Sequence, residues 1–260
     1  MTPQFPGLPS APQQQPVRFR IPLSKPRLTY VFLAIIIAVF LAEEFTGGST
    51  SSRNLIRWGA NYAPLVDAGQ YWRLFTANFL HIGFMHIAVN AYSLYILGRE
   101  VEALFGWRRF LVLYLLTGLS GAVFSYVFTH GLSAGASTAL FGLFGALGAY
   151  YFRNRQMLGE TGQRMLGNLA ITLFINIAIG LSPGSGIDNF GHLGGFVGGL
   201  ALGWFFCPRY AQRDTSGGMY LPGITTLELV DTNSLGKQTL VIAVFVLALI
   251  ALILFAPTTI

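Results

Sequence analysis

The sequence predicts an all-α polytopic membrane protein, a bundle of six spanning helices followed by a seventh. Three observations carry that prediction. The 260 residues are 53% hydrophobic and 10% charged, against roughly 25% charged residues in a soluble domain, and the mean hydropathy is +0.57. Apolar runs of the length a spanning helix needs, about 17 to 25 residues, cover 28–46, 75–97, 109–129, 135–152, 165–181, 189–207 and 238–256. With the N-terminus inside, Arg18, Arg20, Lys25, Arg27, Arg99, Arg108, Arg109, Arg153, Arg155, Arg164, Arg209, Arg213 and Lys237 fall on the cytoplasmic side, and only Arg53, Arg57 and Arg73 fall outside. This positive-inside bias predicts an N-in, C-out topology for seven spans. It also accounts for the net charge of +6 without nucleic acid.

Residues 1–27 hold Pro3, Pro6, Pro9, Pro12 and Pro16 with a Gln13-Gln14-Gln15 run, a composition that buries no core and predicts a disordered cytoplasmic tail. No basic, apolar and small-residue cleavage pattern and no Arg-rich transit pattern precedes the first span. Insertion is therefore expected to begin with that helix, and a prokaryotic plasma membrane is the expected location. The outer connection near 47–74 carries Trp58, Tyr62, Tyr71 and Trp72 with three arginines, and is expected at the interface with its arginines snorkelling. Glu100 and Glu102 sit among basic residues and read as a solvated helix end. Residues 208–236 are polar and Gly-rich and read as a cytoplasmic loop, and 237–260 as an accessory seventh helix on a core spanning 28–207. The single cysteine, Cys207, permits no internal disulfide.

Ionisable side chains inside hydrocarbon are rare and usually functional. Between Glu44 and Arg209 those expected deep in the apolar runs are His86 and His192, with His81 near an outer end. No buried Asp or Glu is expected beside them. A His-Glu-x-x-His zinc site and a carboxylate pair sharing a proton are therefore excluded, and an ion-coupled carrier is disfavoured. Serine with histidine is the remaining chemistry, and Ser137, in Gly135-Ala136-Ser137-Thr138, is the candidate partner of His192. His86 and Asn90, four residues apart, share a helix face. They suit either an oxyanion site or an interhelical polar pair. His192, Gly195, Gly199 and Gly203 also share a face, and Gly135, Gly142, Gly145 and Gly148 enrich the fourth span. Small residues let helices approach closely, so packing of these two spans would bring His192 to Ser137. Phe141, one turn below Ser137, is placed to stack on the imidazole.

Together these pieces resemble the rhomboid family of intramembrane serine proteases, from the first span to the sixth. Tyr71-Trp72-Arg73 is similar to the family's Trp-Arg segment, and His81, His86 and Asn90 match its His-x4-His-x3-Asn. Ser137 matches its Gly-x-Ser-Gly, and Gly191-His192-Leu193-Gly194-Gly195 with Gly199 matches its histidine–glycine motif. The resemblance implies a Ser137–His192 dyad with no acidic third member. His86, Asn90 and the Ser137 N–H are then the oxyanion donors, with Gly135, His81 and Phe141 in support. It implies serine endopeptidase cleavage of transmembrane segments in the outer half of the bilayer, with single-pass membrane proteins as substrates and neither cofactor nor metal. Asp188, four residues before His192, is expected in the outer loop and outside the dyad. The extra helix resembles the family's six-plus-one variants. Thr138 departs from the pattern by replacing the glycine after the nucleophile, which adds bulk beside the oxyanion site. That departure supports an alternative, a weak or inactive relative that binds membrane clients.

Overall fold

The structure, a computed structural model, describes residues 18–129, 131–213 and 226–256. Residues 1–17 of the expected tail and 214–225 of the expected loop lie outside the described residues. Two compact units form, a small β unit (Met1–Pro22 with Arg209–Thr232) and a helical body (Leu23–Pro208 with Asn233–Ile260). In the β unit, β1 (Arg18–Arg20) and β2 (Tyr210–Arg213) flank β3 (Thr226–Asp231). β1 runs parallel to β3, with Arg18 opposite Thr226, and β2 antiparallel, with Tyr210 opposite Asp231. The expectation of an unstructured tail and loop is thus corrected where these strands form.

The helical body begins with α1 (Leu28–Phe45), and its start corrects the sequence reading of Glu102. That carboxylate is fully buried. It accepts the backbone N–H groups of Arg27, Leu28 and Thr29 and the Thr29 hydroxyl, each at 2.8 Å. The first N–H groups of a helix have no internal partner and carry the positive end of its dipole, so a buried carboxylate is stable there. Glu100 is bonded to the Tyr151 hydroxyl.

The outer connection folds into α2 (Ser52–Trp58), α3 (Ala63–Asp67) and α4 (Arg73–Thr76), and Asn61–Tyr62 pairs antiparallel with Leu132–Ser133. Arg73, expected to snorkel, is buried. Its Nη1 donates to the Ile56 and Ala60 carbonyls at 2.7 and 3.2 Å and its Nε to Gln70 at 2.8 Å. The guanidinium fork gathers carbonyls from the last turn of α2 and the residues just beyond it.

The expected span 75–97 is broken. Residues Arg73–Phe79 and Phe84–Phe105 meet at 88°, because Gly83 takes φ 80°, a conformation open to glycine. Beyond it α5 (Phe84–Ser93) continues through a π turn (Leu94–Gly98) into α6 (Arg99–Phe105). Then follow α7 (Trp107–Phe128), α8 (Ser137–Arg153), α9 (Arg155–Gly180), α10 (Asn189–Phe206) and α11 (Thr239–Leu254). α9 starts ten residues before its expected span and bends at Gly159. α1 and α7 are each long and apolar enough to cross a membrane, and the bent pair makes a third candidate.

Backbone contact between α8 and α10 sets the centre of the body. A Cβ added to Gly199 would strike the Gly142 carbonyl oxygen, one on Gly195 the Thr138 carbonyl oxygen, and one on Gly145 the Phe196 carbonyl oxygen. α7 closes on both, since a Cβ on Gly121 would collide with Thr138 and the Gly191 carbonyl. α11 lies on α7, where Leu249 is buried with Ala122, Val123 and Tyr126.

Candidate active site

Ser137 is the first residue of α8, and His192 lies one turn into α10. The close glycine contact of these helices sets their separation, and His192 Nε2 stands 2.9 Å from Ser137 Oγ. Phe141, one turn along α8, stacks on the imidazole with centroids 4.1 Å apart and planes 15° from parallel. Asp188 caps α10. Its carboxylate accepts the Gly191 N–H at 2.8 Å, the Thr129 hydroxyl at 3.0 Å and the Ser133 hydroxyl at 2.6 Å. These three donors engage both oxygens, and the imidazole is not among them.

His86 and Asn90 reach the same place from α5. His86 Nδ1 accepts the Ile82 N–H at 3.2 Å, which leaves the proton of the neutral ring on Nε2 and makes that atom a donor. Gly135 shows where it points. The backbone there has φ 144°, and a Cβ would sit 2.8 Å from His86 Nε2 and 3.6 Å from Ser137 Oγ. Any other residue at 135 would therefore displace the His86 ring from the serine. Asn90 is buried, and its Nδ2 has no hydrogen-bond partner among the described residues. Such an orphaned donor costs stability. All these groups line one cavity of about 840 Å³, bounded by α5, α8 and α9, with Glu100 and Tyr151 among its other lining residues.

His81 is fully buried and T-shaped to His86 at 5.3 Å. Its Nε2 stands 3.5 Å from the Ala136 N–H, just before the nucleophile. Sequence reasoning missed two residues near it. Glu43 of α1, buried, accepts the His81 N–H at 3.2 Å. This corrects the expectation that no carboxylate is buried beside the histidines. Asn78, also buried, accepts the Thr138 hydroxyl at 2.5 Å. The Thr138 methyl group faces Gly121 of α7, so its side chain is held by α7 and Asn78 and not by the oxyanion donors. Thr138 nevertheless lines the same cavity as His86 and Asn90. An acidic residue at a span's end and an amide in a short turn carry no pattern that sets them apart.

A serine bonded to a histidine, at a helix N-terminus and facing free N–H donors, is an arrangement suited to acyl transfer within a helical membrane body. A family profile described as "Rhomboid domain" matches residues 68–209, and the chain belongs to that family. It is an integral membrane protein. Its relatives include "Rhomboid protease GluP" of Bacillus subtilis, 42% identical over 177 residues that make up 68% of this chain and 34% of the relative. "RHOMBOID-like protein 1" of Arabidopsis thaliana is 37% identical over 179 residues, 66% of this chain and 45% of the relative. "Rhomboid-like protease 1" of Toxoplasma gondii is 34% identical over 217 residues, 76% of this chain and 71% of the relative. The chain thus spans half or less of the first two relatives.

Proposed function

We propose that this protein is an intramembrane serine endopeptidase that cleaves membrane-spanning segments through the Ser137–His192 dyad. The observation that carries the reading is the 2.9 Å contact between Ser137 Oγ and His192 Nε2, on a cavity that also holds the unpaired Asn90 amide. Relatives named as rhomboid proteases support it. Ser137 Oγ attacks the scissile carbonyl carbon while His192 Nε2 takes the hydroxyl proton. The oxyanion is held by His86 Nε2–H, Asn90 Nδ2–H and the Ser137 N–H, one of the free N–H groups of the first turn of α8. Collapse expels the amine, protonated by His192. Water, deprotonated by His192, then releases the acyl group from Ser137.

The substrates are single-pass membrane proteins. A spanning helix hides its peptide bonds in internal hydrogen bonds, so the segment must unwind before attack, which favours small or helix-breaking residues near the scissile bond. Seven helices, α1, α5–α6 and α7 to α11, cross a prokaryotic plasma membrane with the N-terminus inside and the C-terminus outside. This places the dyad in the outer leaflet. The client-binding alternative drew its support from Thr138, whose hydroxyl is committed to Asn78.

The test is cleavage of a reporter with one transmembrane segment in liposomes, by wild type beside Ser137→Ala, His192→Ala and Thr138→Gly. The expected result is cleavage by wild type, none by the first two, and activity retained in the third. Cleavage surviving in Ser137→Ala overturns the dyad. No wild-type cleavage, with activity gained in Thr138→Gly, favours the client-binding alternative.

A further inference from the structure

A second cavity, separate from the catalytic one, lies between α8, α9 and α10. It measures about 630 Å³, and Gly148, Phe152, Leu166, Val197, Leu200 and Trp204 form most of its wholly apolar lining. Gly148 explains why the space exists. Gly145 lets the α8 and α10 backbones touch and Gly142 makes room for the Thr117 side chain of α7, but a Cβ on Gly148 would meet only Leu200 Cδ2, at 3.7 Å. This glycine closes no helix contact and instead leaves the groove open.

Two guanidinium groups stand at one mouth of this groove, each on an aromatic ring that lines it. Arg153 lies 4.7 Å from the Trp204 ring centre, and Arg155 lies 4.3 Å from that of Phe152. One amino group of each is tied to a carbonyl, Arg153 to Trp204 and Arg155 to Phe152. Stacking holds the planar groups in place, while a guanidinium carries five N–H donors and one carbonyl uses only one of them. Arg164 follows two residues before Leu166, and Glu160 is the one acidic residue between Arg153 and Leu166. An apolar slot ending in a fixed pair of arginines is complementary to an acyl chain joined to a phosphate.

We infer that the α8–α9–α10 groove binds an anionic phospholipid, one acyl chain along Gly148 and Leu200 and the headgroup phosphate on Arg153 and Arg155. The inference does not rest on the protease reading, since no residue of this groove lines the cavity that holds Ser137 and His192.

The test uses the full chain, reconstituted in vesicles of equal phosphatidylcholine and phosphatidylglycerol and extracted in mild detergent. The phosphatidylglycerol-to-phosphatidylcholine ratio of the retained lipid is then measured by native mass spectrometry. Wild type is expected to retain phosphatidylglycerol in excess. Arg153→Gln with Arg155→Gln is expected to lower that preference on the order of tenfold, the effect of losing two basic contacts at a membrane surface. The corresponding Lys pair is expected to restore most of it. Val197→Trp, a change at an exposed groove position, fills the slot and is expected to abolish retention with both arginines intact. Inorganic phosphate is expected not to displace the lipid. Equal retention of the two lipids by wild type, or an unchanged preference in the Gln pair, overturns the inference. So does displacement by phosphate alone, which would mean an anion site without a chain slot.

Discussion

His86 and Asn90 do different amounts of work for stability and for chemistry. Asn90 Nδ2 is buried without a partner among the described residues, which suits the proposed role of meeting a charge that develops only during reaction. Asn90→Ala is expected to lower kcat on the order of 10²-fold with the thermal midpoint unchanged or raised. An unchanged rate in the folded variant removes Asn90 from the oxyanion site. Thr138 shows the opposite balance. Thr138→Val keeps the shape but leaves the buried Asn78 Oδ1 without its donor, which costs about 1–3 kcal/mol. Denaturant unfolding should show that loss while cleavage by the surviving fold persists. His192 and His86 stood out in the sequence because ionisable groups are scarce in apolar runs, and Ser137 and Asn90 stood out only through those histidines and the motifs they share with them. Glu43 and Glu102 did not, because each lies at the end of a run, where carboxylates are usually solvated, and finds its partner far away in the chain. Glu102 is more than 70 residues from the helix start that it caps.

At the scale of elements, glycine placement separates contacts from open space. Gly199→Ala puts a methyl group into the Gly142 carbonyl, and overpacking of this kind costs typically about 1–3 kcal/mol. It also moves α10 away from α8 and thus lengthens the Ser137–His192 contact. Gly148→Ala meets no such obstacle and replaces a poor helix former, a gain of about 0.8–1 kcal/mol in a helix interior. Thermal unfolding in detergent should show the two substitutions moving the midpoint in opposite directions, with activity lost only in the first. The shared glycine face of α10 was readable from spacing alone. The break at Gly83 was not, since the apolar run from 75 to 97 continues through it and hydropathy does not report φ. β2 and β3 were hidden for a related reason, because a polar Gly-rich stretch reads as a loop until pairing partners are known.

At the scale of the whole molecule, the asymmetry of basic residues predicts sidedness, and a single cysteine makes it measurable. In a Cys207→Ser background, Ser185→Cys is expected to react with a membrane-impermeant maleimide added outside intact cells. Gln156→Cys is expected to react only after the membrane is opened. The reverse pattern would turn the dyad toward the cytoplasm and remove the outer-leaflet chemistry. Sidedness also decides which leaflet supplies the lipid of the α8–α9–α10 groove, because Arg153 and Arg155 fall on the inner side in this topology. The most direct measurement of the dyad itself is covalent: membranes carrying the full chain are treated with a fluorophosphonate, and the modified residue is located by peptide mass spectrometry. Ser137 Oγ displaces fluoride from phosphorus, so the expected result is a single adduct on Ser137, strongly reduced in His192→Ala. An adduct on another residue, or labelling of Ser137 that is indifferent to His192, contradicts the Ser137–His192 mechanism.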